Sequence, residues 1–390
     1  MLTLGEVAEI SGGGTPSRSE SRYFGGELCW ATPTDVTALD ELYIGRTRET
    51  LTQEGLKNSS AKLLPAGAVL LTSRATIGYT AVSKVPICTN QGFVNFVCGP
   101  ALEPEYLAYW LRARKPMLER LANGATFKEI SRGTVRKLAI ELPSRDVQRR
   151  IIDLLARAES IARMRREAEA KAKEIIPALF LDMFGDPATN PKRWEVHLLG
   201  HVAEVVSGVA KGRKLNGKTT RLVPYLRVAN VQAGHLDLTE LKSLEATRDE
   251  ISELALRTGD VLLTEGGDHD KLGRGALLDR DLAECIHQNH VFRVRANLAA
   301  IVPEYFVSFL QTDLARGYFL RSAKKTTNLA SINMTQLKSL PVLVPPVSEQ
   351  RVFERRFSSC RLLQGDQRRA VALAEEGFRS LIAGVVGNEA

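Results

Sequence analysis

Residues 212–219, "GRKLNGKT", have the spacing G-x-x-x-x-G-K-[ST] of a loop that cradles nucleotide phosphates. That chemistry needs a strand leading in and a helix leading out, so that backbone N–H groups and the helix dipole converge on the phosphates. Here the exit is "TRLVPYLRVANV" (220–231), which reads as strand, with Pro224 early in it. No acidic strand downstream offers a magnesium ligand. The segment is better read as a basic loop: Lys211, Arg213, Lys214, Lys218 and Arg221 follow one another without an intervening acid. Arg132, Arg136 and Lys137 form a second basic cluster. Arg112, Arg114 and Lys115 form a third, and Lys324 with Lys325 a fourth. Beside Gly/Thr/Asn-rich loops, such clusters suit phosphate contacts next to base-edge contacts.

Other chemistries find no residues to carry them. The Asn/Asp-Pro-Pro-aromatic motif of amino methylation is absent, the one Pro-Pro being Pro345–Pro346. Neither G-x-S-x-G nor H-E-x-x-H occurs. The six histidines are dispersed, and His197 and His201 read as surface or core residues. The five cysteines (Cys29, Cys88, Cys98, Cys285, Cys360) contain no C-x-x-C pair and read as reduced, mostly buried thiols. A formal charge of +8 and a pI near 9.2 favour polyanionic partners. The start, "MLTLGEVAEI", lacks a signal-peptide pattern, and no apolar run approaches the ~20 residues of a membrane span. The expectation is a cytoplasmic protein without a membrane anchor.

The elements that must position these loops are written twice. "LPSRDVQRRI" (142–151) matches "VPPVSEQRVF" (344–353), each a proline ahead of a Gln–Arg pair. "LGEVAEISGG" from Leu4 matches "LGHVAEVVSG" from Leu199. "PAGAVLLTSRATIG" (65–78) matches "RTGDVLLTEGGDHDKLG" (257–273). "TNQGFVNFV" (89–97) faces "QNHVFRVRA" (288–296), and "EPEYLAYWL" (103–111) faces "VPEYFVSFL" (302–310). Several matches in one order indicate a tandem duplication of about two hundred residues, far longer than a solenoid repeat.

Within each copy, short aliphatic runs bounded by Gly, Pro, Thr and Asn predict strands, with a helix at "PEYLAYWLRARKPMLERLA" (104–122). After each junction the apolar spacing changes to alternating threes and fours. Ile151, Leu154, Ala158, Ile161, Arg165, Ala168, Ala172, Ile175 and Leu179 form one such line. Phe353, Phe357, Cys360, Gln364, Gln367, Val371, Ala374, Phe378, Leu381 and Val385 form the other. The spacing predicts two helices of roughly 35 residues, ~50 Å each, with coiled-coil seams. Pro143, Pro345 and Pro346 set their starts, with Asp146 and Ser348 as N-caps, and Gly185 with Pro187 and Pro191 ends the first. Two matching seams in one chain predict antiparallel pairing, with the modules at opposite ends of a rod.

Taken together, "TSRATIG" (72–78), "TNQGF" (89–93), "GATFKEISRGTVRKLAIELP" (124–143), "LFLDMFGDP" (179–187), "NPKRW" (190–194) and "PPVSEQR" (345–351) resemble the specificity subunits of type I restriction–modification enzymes. The resemblance covers nearly the whole chain. It departs from the family at "LPSRD", where a double proline is usual, and the second copy has "TEGGDHDKLG" where the first has "TSRATIG". The resemblance implies an α+β protein of two tandem α/β target-recognition domains, separated by two long conserved helices in an antiparallel coiled coil, an internal pseudo-twofold repeat. The expected bounds are 1–142 for the first domain, 143–186 for the central helix, 187–343 for the second domain and 344–390 for the C-terminal helix.

The resemblance further implies that each domain reads half of a split double-stranded DNA site. The helices would dock two adenine-methylating modification subunits, and restriction subunits where these exist. The chain itself would be non-catalytic and bind no cofactor; S-adenosylmethionine, ATP and Mg would belong to the partners. The assembled complex would be a site-specific endonuclease and adenine-N6 methyltransferase. Candidate DNA contacts are Arg74, Thr76, Asn90, Gln91, Thr126, Phe127 and Lys128 in the first domain. In the second they are Lys211, Arg213, Lys214, Lys218, His269, Lys271, Gln288, Asn289, Lys324, Lys325 and Asn328. Candidate docking positions are Ile151, Leu154, Ile161, Phe353, Phe357 and Leu381. Differing loops in the two copies imply different half-sites. Three alternatives remain at this stage: a methylation-only system, a P-loop NTPase or nuclease, and a scaffold binding only protein. ATP hydrolysis by the isolated chain would mark the second, and salt-insensitive or absent duplex binding the third.

Overall fold

The aliphatic runs of the two copies become strands in the same order. In the computed structural model, which describes residues 1–124, 128–215, 217–267, 272–325 and 330–386, Val69–Thr72 lies between Phe93–Cys98 and Thr80–Ser83. Ala8–Gly12 pairs outside the first of these and Tyr43–Ile44 outside the second. In the second copy Val261–Thr264 lies between Val291–Ala296 and Gly275–Leu277, with Ala203–Ser207 outside Val291–Ala296. All four residues of "VLLT" are buried each time. Alternation explains why both faces must be covered. Val69 and Leu71 enter one core with the helix Pro104–Ala113, whereas Leu70 enters another with Ala31, Ile87 and Phe93. Val261 and Leu263 likewise separate from Leu262.

A three-stranded sheet accompanies each larger one. Phe24–Ala31 lies between Glu49–Leu51 and Ile87–Thr89, and Thr220–Leu226 between Lys242–Thr247 and Ile286–His287. The segment entering each copy pairs with the strand leading to its long helix: Leu2 with Ile140, and Glu195 with Val344. The helix expected over 104–122 is two, Pro104–Ala113 and Lys115–Leu121, meeting at Arg114.

Chain contacts divide the protein into two units, residues 1–169 with 367–390 and residues 170–366. The long helices, Arg145–Phe184 and Val347–Val386, are 40 residues each, or ~60 Å at 1.5 Å per residue. They begin one residue before the expected caps, so Asp146 and Ser348 stand in the first turn. Gly185 ends the first helix at φ +78, and a Cβ there would stand 2.5 Å from Pro191 Cγ.

Within each unit the helices run antiparallel. In the first unit, Leu155 shares a core with Ile382 and Val386, and Arg166 meets Glu375 at 3.1 Å. In the second, Gln364 Nε2 donates to Ala172 O at 2.9 Å, and Phe180 and Phe184 pack on Phe353 with ring centres 5.8 and 5.4 Å apart. The C-terminal helix keeps the line that its spacing indicates buried or half-buried. The central helix does not: its buried line runs through Gln148, Leu155, Ala162 and Ala172, while Leu154 and Ile161 stay 46% and 49% exposed. Two apolar lines overlap on this helix. The polar Gln148, Glu159 and Arg166 disguise the one that packs inward.

The recurring glutamine is the device that fixes each helix start. Gln148 Oε1 accepts from Glu103 N (2.9 Å), and its Nε2 donates to Ala101 O and Pro143 O (2.9 Å each). Gln350 repeats the arrangement with Val302 N (2.8 Å), Ala300 O (3.0 Å) and Pro345 O (2.7 Å). Both side chains are fully buried. One side-chain amide thus satisfies a loop N–H, a loop carbonyl and the carbonyl of the proline before the helix.

Candidate nucleic-acid interface

In the first unit the chain emerging from Val69–Thr72 meets two other loops, one of which also meets a third. Ser73 N donates to Gly92 O (2.8 Å), and Ile130 N donates to Ser73 O (2.9 Å). Ala75 N donates to Lys128 O (3.2 Å), and Gly14 N donates to Thr89 O (2.9 Å). Gly13 is required for this approach, since a Cβ would lie 1.9 Å from Asn90 O. Arg74, Thr76, Asn90, Gln91 and Lys128 are therefore brought together, all exposed except the half-buried Asn90. Thr126 and Phe127 lie outside the described residues.

Some of these side chains also have local work. Asn90 Oδ1 accepts from Gly92 N at 2.9 Å, closing its own turn. Gln91 Oε1 accepts from the Thr15 hydroxyl. Arg74 stands 3.8 Å from Glu129, both about half exposed.

The second unit builds the same convergence. Glu265 N donates to His290 O (3.0 Å), Ile332 N to Glu265 O (2.8 Å) and Val209 N to His287 O (2.9 Å). Gly208 repeats the role of Gly13, its Cβ position lying 1.9 Å from His287 O. Gln288 and Asn289 belong to this cluster and are half-buried. Their backbone N–H groups donate to Leu226 O and Val209 O, at 2.9 Å each. His269, Lys271 and Asn328 lie outside the described residues. Lys324–Lys325 forms a short strand against Ala330–Ser331, which in turn pairs with Gly266–Gly267.

The basic loop 211–221 follows Ala203–Ser207 as the loop carrying Arg18 and Arg22 follows Ala8–Gly12, and Val209, just before it, joins the convergence. It leads into the strand Thr220–Leu226, so no helix follows the phosphate-loop spacing. Lys211, Lys214 and Lys218 are exposed. Arg213 is not available in the same way. Its guanidinium holds both Glu250 carboxylate oxygens at 2.7 Å, and its Nη2 also donates to Glu245 O at 3.0 Å. That grip holds the Glu250 carboxyl down at about 2. Arg18 grips Glu49 in the same two-pronged way, at 2.9 and 2.8 Å. One arginine in each loop thus grips a glutamate with two prongs, and in the second unit Lys211, Lys214 and Lys218 stay exposed beside it.

Behind the convergence each unit buries polar groups. Asn95 Nδ2 donates to Thr89 Oγ1 at 2.7 Å. The matching strand positions of the second unit hold Arg293 and His287, because Ala8 pairs with Cys98 as Ala203 pairs with Ala296. Burial pushes His287 down to about 4, and its Nδ1 meets Val291 O at 2.7 Å.

The docking positions separate by exposure. Phe353 and Phe357 are 0% and 8% exposed inside the aromatic core with Phe180, Phe184 and Tyr305. They anchor the C-terminal helix to its own unit and present nothing to a partner, correcting their assignment as docking residues. Ile151 and Leu381 are half-buried against the first unit's core. Leu154, Ile161 and, one turn on, Met164 (54%) remain as an exposed apolar line on the central helix, with Val147 (41%) before them. Among the described residues, no helix is long and apolar enough to cross a membrane, and no group of three or more His, Cys, Asp or Glu side chains could hold a metal ion.

Residues 1–172 and 191–359 match the family model described as the type I restriction modification DNA specificity domain. A "Type I restriction enzyme MjaIX specificity subunit" of Methanocaldococcus jannaschii is 32% identical over 270 residues, 65% of this chain and 60% of that protein. The EcoKI specificity subunit of Escherichia coli is 30% identical over 169 residues, 41% of this chain and 36% of that one. The matched stretches span 60% and 36% of these relatives, in each case less than two thirds. Among solved structures, a chain from a study of type I R-M complex assembly superposes with a TM-score of 0.62 at 17% identity, covering 99% of this chain and 96% of that one. The type I S subunit from M. genitalium superposes with a TM-score of 0.57 at 12% identity, covering 100% and 96%. These likenesses establish the shared fold.

Proposed function

Because the chain belongs to the type I restriction–modification DNA specificity family, we propose that it is the DNA-reading subunit of such a system and recognises a bipartite duplex site, one half per module. The observation that carries this reading is the loop convergence built twice on one strand order, each time beside exposed polar and basic side chains. Backbone-to-backbone bonds between the loops hold their register, so side chains remain for DNA. Lys211, Lys214 and Lys218 suit phosphates, which position the protein without carrying sequence information. The polar side chains at the convergence suit base edges in the major groove.

The chain's own role is binding and orientation. We infer that adenine methylation, and cleavage where a restriction subunit exists, are performed by partner subunits carrying S-adenosylmethionine, ATP and Mg. The exposed line Val147, Leu154, Ile161 and Met164 supports docking of the modification subunits on the central helix, since such a line is otherwise left to water.

Methylation mapping of host DNA, with and without the gene, tests the reading. The expected result is one split methylated motif that disappears on deletion. Exchanging residues 1–142 for another module should change one half of that motif and leave the other intact. A methylome unaltered by deletion would overturn the reading.

A further inference from the structure

The two loop convergences share a backbone but carry their charges at different places. Position by position, Ser73 corresponds to Glu265 and Gly92 to His290, because the bond from Ser73 N to Gly92 O recurs from Glu265 N to His290 O. Arg74 corresponds to Gly266 and Glu129 to Ser331, because the bridge between Arg74 and Glu129 recurs between Gly266 and Ser331. In the first unit the charged pair is Arg74 with Glu129, at 3.8 Å. In the second, the Glu265 carboxylate meets His290 Nδ1 at 2.6 Å. At the positions where one unit has its pair, the other has only glycine and serine.

From this exchange we propose that Arg74 and Glu265 are the specificity-determining residues of their modules, each set toward a base edge by the side chain beside it. This rests on the DNA-reading function proposed above. A guanidinium fits the O6 and N7 acceptors of guanine, and a carboxylate accepts from the N4 amino group of cytosine. A carboxylate is repelled by phosphates, so the Glu265 side chain suits a base donor better than the DNA backbone. Glu129 and His290 are positioning residues: His290 holds the Glu265 carboxylate by a hydrogen bond, Glu129 attracts the Arg74 guanidinium from 3.8 Å, and both partners stay partly exposed, at 46% for Arg74 and 29% for Glu265. Stability gives little reason for these pairs, since exposed ion pairs contribute little to it. Steric space also enforces the difference, as even a Cβ on Gly266 would lie 2.9 Å from Ala330 O.

The test uses the full chain with its native partner subunits in the host, read by methylation mapping. Glu265→Ser should relax one base position in the half-site of the second module, raising methylation of the mismatched sites on the order of tenfold to a hundredfold. The first half-site should not change. Arg74→Lys keeps the charge for any phosphate but loses the two-pronged fit to guanine, so it should relax one position in the first half-site alone. If the wild type gives a split motif and both variants reproduce it unchanged, these residues are surface charges and the proposal falls while the DNA-reading function stands. If either variant alters both half-sites together, the proposal also falls. If the wild type yields no motif, the DNA-reading function fails and this assignment with it.

Discussion

Replacing Gln350 isolates what holds the second long helix to its module. The amide makes three bonds in a fully buried place, to Val302 N at 2.8 Å, Ala300 O at 3.0 Å and Pro345 O at 2.7 Å. Gln350→Ala leaves one N–H and two carbonyls without that partner and opens a cavity. At about 1 kcal/mol net per bond, the expected cost is about 3 kcal/mol. Gln350→Glu keeps the size but removes the donor, so a carboxylate oxygen faces two carbonyl oxygens. It should cost at least as much near neutral pH and recover partly in acid, where a protonated carboxyl can donate one bond again. Hydrogen exchange read by mass spectrometry reports the units separately. Protection should fall around 300–306 and 347–353 in the Gln350 variants, and around 101–107 and 145–151 for Gln148→Ala. If Gln350→Glu matches the wild type in urea midpoint and protection, the amide acts only as filler and the reasoning is wrong.

Lys214→Ala with Lys218→Ala should flatten the slope of log K against log salt by roughly 1.8, at about 0.9 per phosphate contact, without altering the methylated motif; filter binding across salt concentrations reads the slope, and an unchanged slope would make these lysines a solvated surface. Leu154→Gln with Ile161→Gln should weaken modification-subunit binding more than tenfold while thermal unfolding barely changes, because both side chains are about half exposed; calorimetric titration checks it, and undiminished affinity would remove this line from the docking surface. His287 is held neutral by burial, with Arg293 and Arg295 adding to the effect and Asp260 and the Val291 carbonyl opposing it. Its folded value of about 4 lies below the unfolded 6.5, so stability is full above pH 6.5, falls as pH drops toward 4, and is lower by about 3 kcal/mol beyond. His287→Thr, which copies Thr89, should flatten that slope, and an unflattened slope would assign it to other groups.

What could be read from the sequence follows from how strongly each feature is constrained locally. The duplication, the "VLLT" strands, the helix starts after proline and the left-handed Gly185 are each enforced by a few neighbouring residues, and they stand in the structure as the spacing indicates. The seam of the central helix is not constrained in this way. Its inward line includes Gln148, Glu159 and Arg166, whose polar heads have partners supplied by the fold: Gln148 the loop at 101–103, Glu159 the hydroxyl of Tyr109 at 2.9 Å, and Arg166 the carboxylate of Glu375. Without those partners in view, the line that runs through the exposed Leu154 and Ile161 looks more apolar and takes its place.

Strand register, which also depends on distant partners, displaces the match between "TNQGF" and "QNHVF". Matching letters aligns Asn90 with Asn289, yet the ladder places Thr72 opposite Phe93 and Thr264 opposite Val291, so Asn90 corresponds to Gln288 and Gly92 to His290. A one-residue slip in a strand exchanges every inward side chain for an outward one, and only the neighbouring strand can fix it. That slip conceals the pairing of Glu265 with His290, because letter matching sets His290 against Gln91 and leaves Glu265 in a loop with no visible partner. The charge exchange between the modules therefore becomes legible only when both ladders are laid on one register. Specificity, on this account, is carried by the positions where two copies of one backbone differ in charge, and less by the Asn and Gln residues they share.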